Sequence, residues 1–187
     1  MPPPVPFTLR PATLADADAI RALIRLSAHA LSAGDYTSAQ VEGALQGAFG
    51  VDTQLMQDGS YFVAEGEAHG GAPVLAGCGG WSFRRTLFGG DARADRDPQP
   101  LDPRVDAAKI RAFFVHPEWA RRGIGAALLE RCEQAALAAG FRRFELMATL
   151  PGVRLYQARG YVPGGMIHWP LPNGLTIQFI PMSKQAA

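Results

Sequence analysis

The sequence predicts a single α/β domain of the α+β kind, with six to seven strands flanked by about four helices. Three observations carry this reading. The 187-residue chain has the length of one compact domain. Its 48% hydrophobic and 19% charged residues supply a sizeable core and exclude disorder or a collagen-like fibre. Strand-like and helix-like apolar periods then alternate along it with no internal repeat or linker.

Residues 1–6, Met-Pro-Pro-Pro-Val-Pro, are expected to be a flexible tail, since proline donates no backbone hydrogen bond; residues 7–187 form the domain. Residues 7–10 read as an edge strand. Thr13 or Asp16 then caps a helix carrying Ile20, Leu23, Ile24 and Leu31, stopped by Gly34. Thr37 or Ser38 caps a second helix through Val41, Leu45 and Phe49. Residues 61–67 and 74–83, joined across Gly70-Gly71, read as a hairpin. Residues 87–104 mix glycines, aspartates, prolines and arginines without an apolar period, and are expected to be a long exposed loop. Residues 109–115 form a central strand, ended by His116-Pro117 because a residue before proline avoids helix. From Gly123, the residues Ile124, Leu128, Leu129, Cys132 and Leu137 mark one helical face, and Gly140 supplies a left-handed cap. A strand over 141–148, a short helix over 153–159 ended by Gly160, and two strands within 161–182 complete the chain.

Composition narrows the function. Eighteen Lys and Arg against seventeen Asp and Glu leave a net charge of +1, too little to draw the molecule onto nucleic acid. Cys78 and Cys132 each sit in an apolar stretch without metal-ligand spacing, so both read as reduced core thiols and no metal is expected. No basic and apolar leader opens the chain, and no apolar run approaches the roughly 20 residues that span a bilayer. A cytoplasmic protein without a membrane partner is the expectation.

The informative stretch runs from Val115 to Leu129. A strand ends, a loop turns, and Gly123 and Gly125 open a helix beside Arg121 and Arg122. The first amides of a helix lack intrahelical acceptors and carry about +0.5 charge, which suits a phosphate, and the two arginines add cationic donors. A dinucleotide fingerprint fits poorly: Glu145 could serve as its acidic residue, but Leu128 occupies the third glycine position. A Walker loop is excluded, since no Gly-Lys-Ser/Thr follows.

Residues 120–125 resemble the pattern Arg/Gln-x-x-Gly-x-Gly/Ala of the GNAT superfamily, the acetyl-CoA-dependent N-acyltransferases, and Leu155 to Tyr161 resembles its Leu-Tyr-x-x-x-Gly-Tyr/Phe. The resemblance runs from about Lys109 to Tyr161. It implies a mixed, mostly antiparallel sheet and transfer of an acetyl group from acetyl-CoA to a primary amine. It further implies that the amides of Arg121, Arg122, Gly123, Ile124, Gly125 and Ala126 hold the CoA diphosphate. The backbone of Phe113 and Val115, on a bulged and splayed strand, would pair with the pantetheine arm. The Val115 amide is expected to donate to the thioester oxygen and Tyr156 to protonate the departing thiolate.

Three positions depart from the family's pattern: Ala120 replaces its arginine or glutamine, Thr149 an asparagine, and Lys109 the glutamate base of the histone-acetylating branch. The general base is open among Glu65, Glu67 and His116. Trp81, Arg84, Arg85 and Arg111 are candidates for an acceptor pocket, where their cations would suit a carboxylate or phosphate. Asp35 and Tyr36 fall where the family often forms its acceptor wall. The alternative to an enzyme is a catalytically degenerate CoA-binding sensor or regulatory module. Homodimers occur in the family, and the final strands could pair across subunits.

Overall fold

A computed structural model describes residues 6–187. The expected tail therefore lies, apart from Pro6, outside the described residues. The strands are β1 (Phe7–Pro11), β2 (Tyr61–Glu67), β3 (Pro73–Ser82), β4 (Ala108–Val115), β5 (Arg143–Thr149), β6 (Val162–Pro163), β7 (Ile167–Pro170) and β8 (Thr176–Gln185). The helices are α1 (Ala17–Ser32), α2 (Ser38–Ala44), α3 (Thr53–Gln57), α4 (Ile124–Ala138) and α5 (Val153–Ala158). All eight strands form one sheet in the order β1-β2-β3-β4-β5-β8-β6, with β7 also on β8. Only β4 and β5 run parallel, as a strand-helix-strand crossover through α4 requires.

Local chemistry accounts for the helix starts. The Thr13 amide donates to the Asp16 carboxylate at 2.7 Å, closing a single 3-10 turn from which α1 departs. The Thr37 hydroxyl accepts from the Gln40 amide at 3.1 Å, while the Gln40 side chain accepts from the Thr37 amide at 2.9 Å. These are reciprocal capping pairs. Gly140, at φ +95°, ends the turn after α4 as expected.

The sheet separates two cores. On one face, Ile124, Leu128, Leu129 and Cys132 of α4 pack with Ile110, Phe144 and Leu146. On the other, Ile20, Leu23 and Ile24 of α1 pack with Tyr61, Val63 and Cys78. Both cysteines are buried free thiols, in agreement with the sequence reading.

Four expectations need correction. The second helix ends at Ala44, and the chain reaches Phe49 through turns. The short α3 was not foreseen; Asp52 caps it by accepting from the Gln54 amide at 3.1 Å. The chain's last part forms three strands rather than two. The segment 87–104 is not simply exposed: the Phe88 ring packs 4.8 Å from Trp169 and 5.5 Å from Phe179, and Arg93 lies 4.5 Å over it. No helix among the described residues is long and apolar enough to cross a membrane.

Candidate active site

The site arises where β4 breaks its own ladder. Gly80 pairs with Arg111 and Cys78 with Phe114, so one residue of β3 faces two of β4, Ala112 and Phe113. This β-bulge places Ala112 at φ 57°, a left-handed conformation costing an alanine roughly 1–2 kcal/mol. Buried groups hold it there. The Tyr61 hydroxyl donates to the Ala112 carbonyl at 3.2 Å, and the Cys78 thiol lies 3.7 Å from the same oxygen. Burial raises the Cys78 thiol to about 12 and Tyr61 well above its ordinary value, so both remain protonated donors.

Beyond the bulge the sheet opens. β4 pairs with β5 only over Ala108–Ile110 and Phe144–Leu146, leaving the β5-facing edge at Phe113 and Val115 without a strand neighbour. Into this gap falls a cavity of about 370 Å³, lined by Phe113, Val115, Arg121, Gly123, Ile124, Gly125, Ala126 and Tyr156 among others. A second cavity, of about 70 Å³, lies beside the bulge against residues 87–89; the two share Phe49, Phe113, Phe114, Thr149 and Tyr156. Leu31, which the sequence placed on the buried stripe of α1, is 38% exposed and lines the larger cavity.

At one end of this cavity stands the start of α4. Gly123 is its N-cap at φ 85°, with no side-chain cap, and Arg121 also has positive φ, at 64°. None of the six amides from Arg121 to Ala126 bonds to a described residue. Six free donors around a helix start form a concave positive site for an anion. Gly123 has open space around it, whereas a Cβ on Gly125 would lie 3.0 Å from Leu155, so Gly125 admits the neighbouring α5. Arg122 is not among the lining residues; its guanidinium sits 5.2 Å over the Trp119 ring.

Tyr156, supplied by α5, lines the same cavity. Its ring is clasped edge-on by Phe113 at 6.3 Å and Tyr161 at 5.9 Å. Tyr161 is fixed in turn by donating to Glu133 at 2.9 Å, which Lys184 also meets at 2.8 Å. The Tyr156 hydroxyl bonds to none of the described residues, and burial holds its ionisation well above the ordinary phenol value. It is a protonated, uncommitted donor in the cleft.

Other sequence candidates stand elsewhere. Glu65 is tied to Arg10 at 2.7 Å. Glu67 is exposed at the hairpin end. His116 accepts from the Glu118 amide at 3.2 Å as a turn cap. None of the three lines either cavity, and the lining of both contains no carboxylate and no imidazole. Tyr36 is a buried pin rather than an acceptor wall, donating to the Gln178 carbonyl at 2.6 Å and accepting from the Leu150 amide at 2.9 Å. Asp35 is exposed beside it. The Val115 amide, expected to serve the thioester oxygen, donates to the Ser27 hydroxyl of α1 at 3.2 Å. Sequence reasoning did not mark Ser27, whose serine in a helix carries no distinguishing signal.

The model of the acetyltransferase (GNAT) family matches residues 30–161, which include the bulge, the free amides and Tyr156. The chain belongs to the GNAT acetyltransferase family. Solved structures agree in fold over the whole domain. A GCN5-related N-acetyltransferase from Rhodopseudomonas palustris is similar at 22% identity and TM-score 0.66, covering 95% of this chain and 94% of that one. The PaiA N-acetyltransferase of Thermoplasma acidophilum, in complex with coenzyme A, is similar at 15% identity and TM-score 0.60, covering 96% and 99%. YncA of Salmonella typhimurium, a putative acetyltransferase with its cofactor acetyl-CoA, is similar at 18% identity and TM-score 0.61, covering 97% and 94%. No curated protein sequence matches the chain. As a member of the family this GNAT domain is an acyltransferase, and the cavities described above are its candidate active site.

Proposed function

We propose that this acetyltransferase moves an acetyl group from acetyl-CoA to a primary amine by direct attack. One observation carries the proposal: five residues with unbonded amides at the start of α4, Arg121 and Gly123 to Ala126, line the same cavity as Tyr156, whose hydroxyl is free. The CoA diphosphate lies against the amides of residues 121–126, with Arg121 beside it. The pantetheine arm runs along the open edge of β4 at Phe113 and Val115, completing the ladder as an added strand would. Recognition is by main chain, which is why apolar side chains there suit a polar cofactor.

The thioester then sits between the two cavities, with the acceptor amine arriving through the smaller one. The amine nitrogen forms a bond to the acetyl carbon, and the tetrahedral oxyanion draws on the Val115 amide once Ser27 releases it. The carbon–sulfur bond breaks, Tyr156 gives its proton to the thiolate, and the proton lost by nitrogen returns through solvent to the phenolate. With no carboxylate or imidazole in the lining, the amine enters as its free base. The products are an N-acetylated amine and CoA. Two buried free thiols support a reducing, cytoplasmic setting.

The same absence of an acidic or imidazole side chain favours a second reading, a CoA-binding sensor without turnover. Calorimetric titration with CoA and acetyl-CoA tests the common ground; absence of binding removes both. Single-turnover release of CoA with a panel of amines separates them, since a sensor releases none above the rate of spontaneous hydrolysis.

A further inference from the structure

Four side chains were set aside in the sequence for an acceptor pocket, and only one reaches a cavity that Tyr156 also lines. Trp81 is buried against Phe83 and Phe141. Arg84 is committed to Asp58 through two bonds of 2.8 Å. Arg85 turns outward, 3.8 Å from Asp97. Arg111, two residues before Phe113, lines the smaller cavity and is 6% exposed.

Its hydrogen bonding is incomplete. A guanidinium carries five N–H donors. One Nη2 donor meets the Gly89 carbonyl at 2.5 Å, and the same nitrogen lies 2.8 Å from Asp52 Oδ2. The Nε donor is buried without a partner, and Nη1 has none among the described residues. Asp52 faces this cation without a formed hydrogen bond: its Oδ2, nearest Arg111, is buried without a hydrogen-bond partner, while its Oδ1 accepts from Arg96 at 3.1 Å and from the Gln54 amide at 3.1 Å. A nearly buried cation whose Nε has no partner and whose Nη1 is uncommitted favours any anion that can reach it.

The smaller cavity has Phe49, Leu87, Phe88, Met147 and Phe179 on its walls beside the hydroxyl-bearing Thr149 and Tyr156, and Arg111 is the only charged side chain among its described lining residues. Its volume of about 70 Å³ can be set against the roughly 10–15 Å³ that admits one water on this scale. It therefore accepts a molecule of about five to seven non-hydrogen atoms. An aminoglycoside or a longer polyamine is too large, and a short diamine would bring a second ammonium against a guanidinium.

We infer that the acceptor is a compact amine bearing an anionic group, of small amino-acid type, whose carboxylate or equivalent oxyanion is received by Arg111 while its amine faces Tyr156. This rests on the acetyl-transfer reading and assigns its acceptor class. Arg111 is then the residue that sets acceptor specificity, and the 87–104 segment contributes the wall that closes the pocket over it.

The test compares kcat/KM, by CoA release, for glycine, alanine and serine, for their carboxamides, and for methylamine, ethylamine and ethanolamine. The carboxamides are the decisive control, because their amines are less basic and more of each is free base at neutral pH. Nucleophilicity alone ranks them above the acids. Recognition by Arg111 reverses that order, with the acids preferred by about ten- to a hundredfold, the range of a hydrogen-bonded charge. In Arg111→Lys, and in the paired Asp52→Asn/Arg111→Gln variant that leaves no buried charge alone, the preference is lost while acetyl-CoA affinity is kept. Melting curves identify which variants are folded, and the wild-type comparison stands without them. Equal use of acids and carboxamides, no turnover of any acid while acetyl-CoA binds, or a preference that survives in a folded variant overturns the inference. Failure of acetyl-CoA to bind overturns the acetyl-transfer reading beneath it.

Discussion

Replacing Tyr156 by phenylalanine removes one hydroxyl and almost nothing else. No hydrogen bond to a described residue is lost, and the ring contacts with Phe113 and Tyr161 remain. The folded state should therefore change by less than about 1 kcal/mol, the net worth of one ordinary hydrogen bond. Affinity for CoA should not change, because the proposed diphosphate contacts are main-chain amides of residues 121–126 and not the Tyr156 hydroxyl. Turnover is different. A positioned proton donor contributes about 10² to 10⁴ in rate. A thiolate whose conjugate acid titrates near the ordinary thiol value of about 8.5 is a fair leaving group unaided, which places the expected loss near the lower end, about 10². The assay is thiol release followed with a chromogenic disulfide reagent, to which Cys78 and Cys132 are closed by burial. A kcat unchanged in the phenylalanine variant, with CoA affinity and melting temperature also unchanged, would refute the acid role of Tyr156.

Three further expectations follow from the same geometry. Gly123→Ala meets no neighbouring atom but forces a side chain onto φ +85°, so it should cost about 1–2 kcal/mol in stability. It should also weaken binding of CoA while leaving binding of a pantetheine fragment without the diphosphate unchanged, as paired titrations can show. In Gly79→Ala the new methyl would lie 2.8 Å from the Phe113 ring; overpacking of this kind costs about 1–3 kcal/mol. Because that ring clasps Tyr156, kcat should fall along with the melting temperature. Burial holds Cys78 at about 12 against an ordinary 9.0 and Tyr36 at about 12 against 10.0, so the unfolded chain releases these protons first as pH rises. Stability is then fully present below pH 9.0 and declines towards pH 12, which denaturation midpoints measured across that interval should show. A constant midpoint there contradicts the assignment of both groups as buried and neutral.

What was legible in the sequence was what local chemistry writes there. The α4 start, with Gly123 after two arginines, and the caps at Thr13 and Thr37 are short-range signals, and the folded chain carries all three. Tyr156 stood out through the pattern around it. The bulge at Ala112 was anticipated only through the family, because no glycine marks it; the left-handed alanine is held by Tyr61 and Cys78, residues distant in sequence. Ser27 and Arg111 could not be assigned for the same reason. Their partners, Val115 in one case and Asp52 and Gly89 in the other, come together only across the folded sheet. The paired glycines 79 and 80 each make room for a ring of the protein itself, Phe113 and Tyr61, which nothing local in the sequence announces. Residues 87–104 hid their apolar anchor because one phenylalanine among glycines and aspartates leaves no period to detect.

The short parallel ladder between β4 and β5 has a mechanical meaning. Three register pairs are all that directly join β1 through β4 to β5 through β8, so the sheet resembles two half-sheets hinged along Ala108–Ile110. A long ligand hydrogen-bonded along the open edge acts as a staple across that hinge, and binding to the folded form alone stiffens it by mass action, about 2.7 kcal/mol at a hundred times the dissociation constant. If acetyl-CoA binds as proposed, the resistance of this protein to unfolding and to proteases rises with the supply of that cosubstrate.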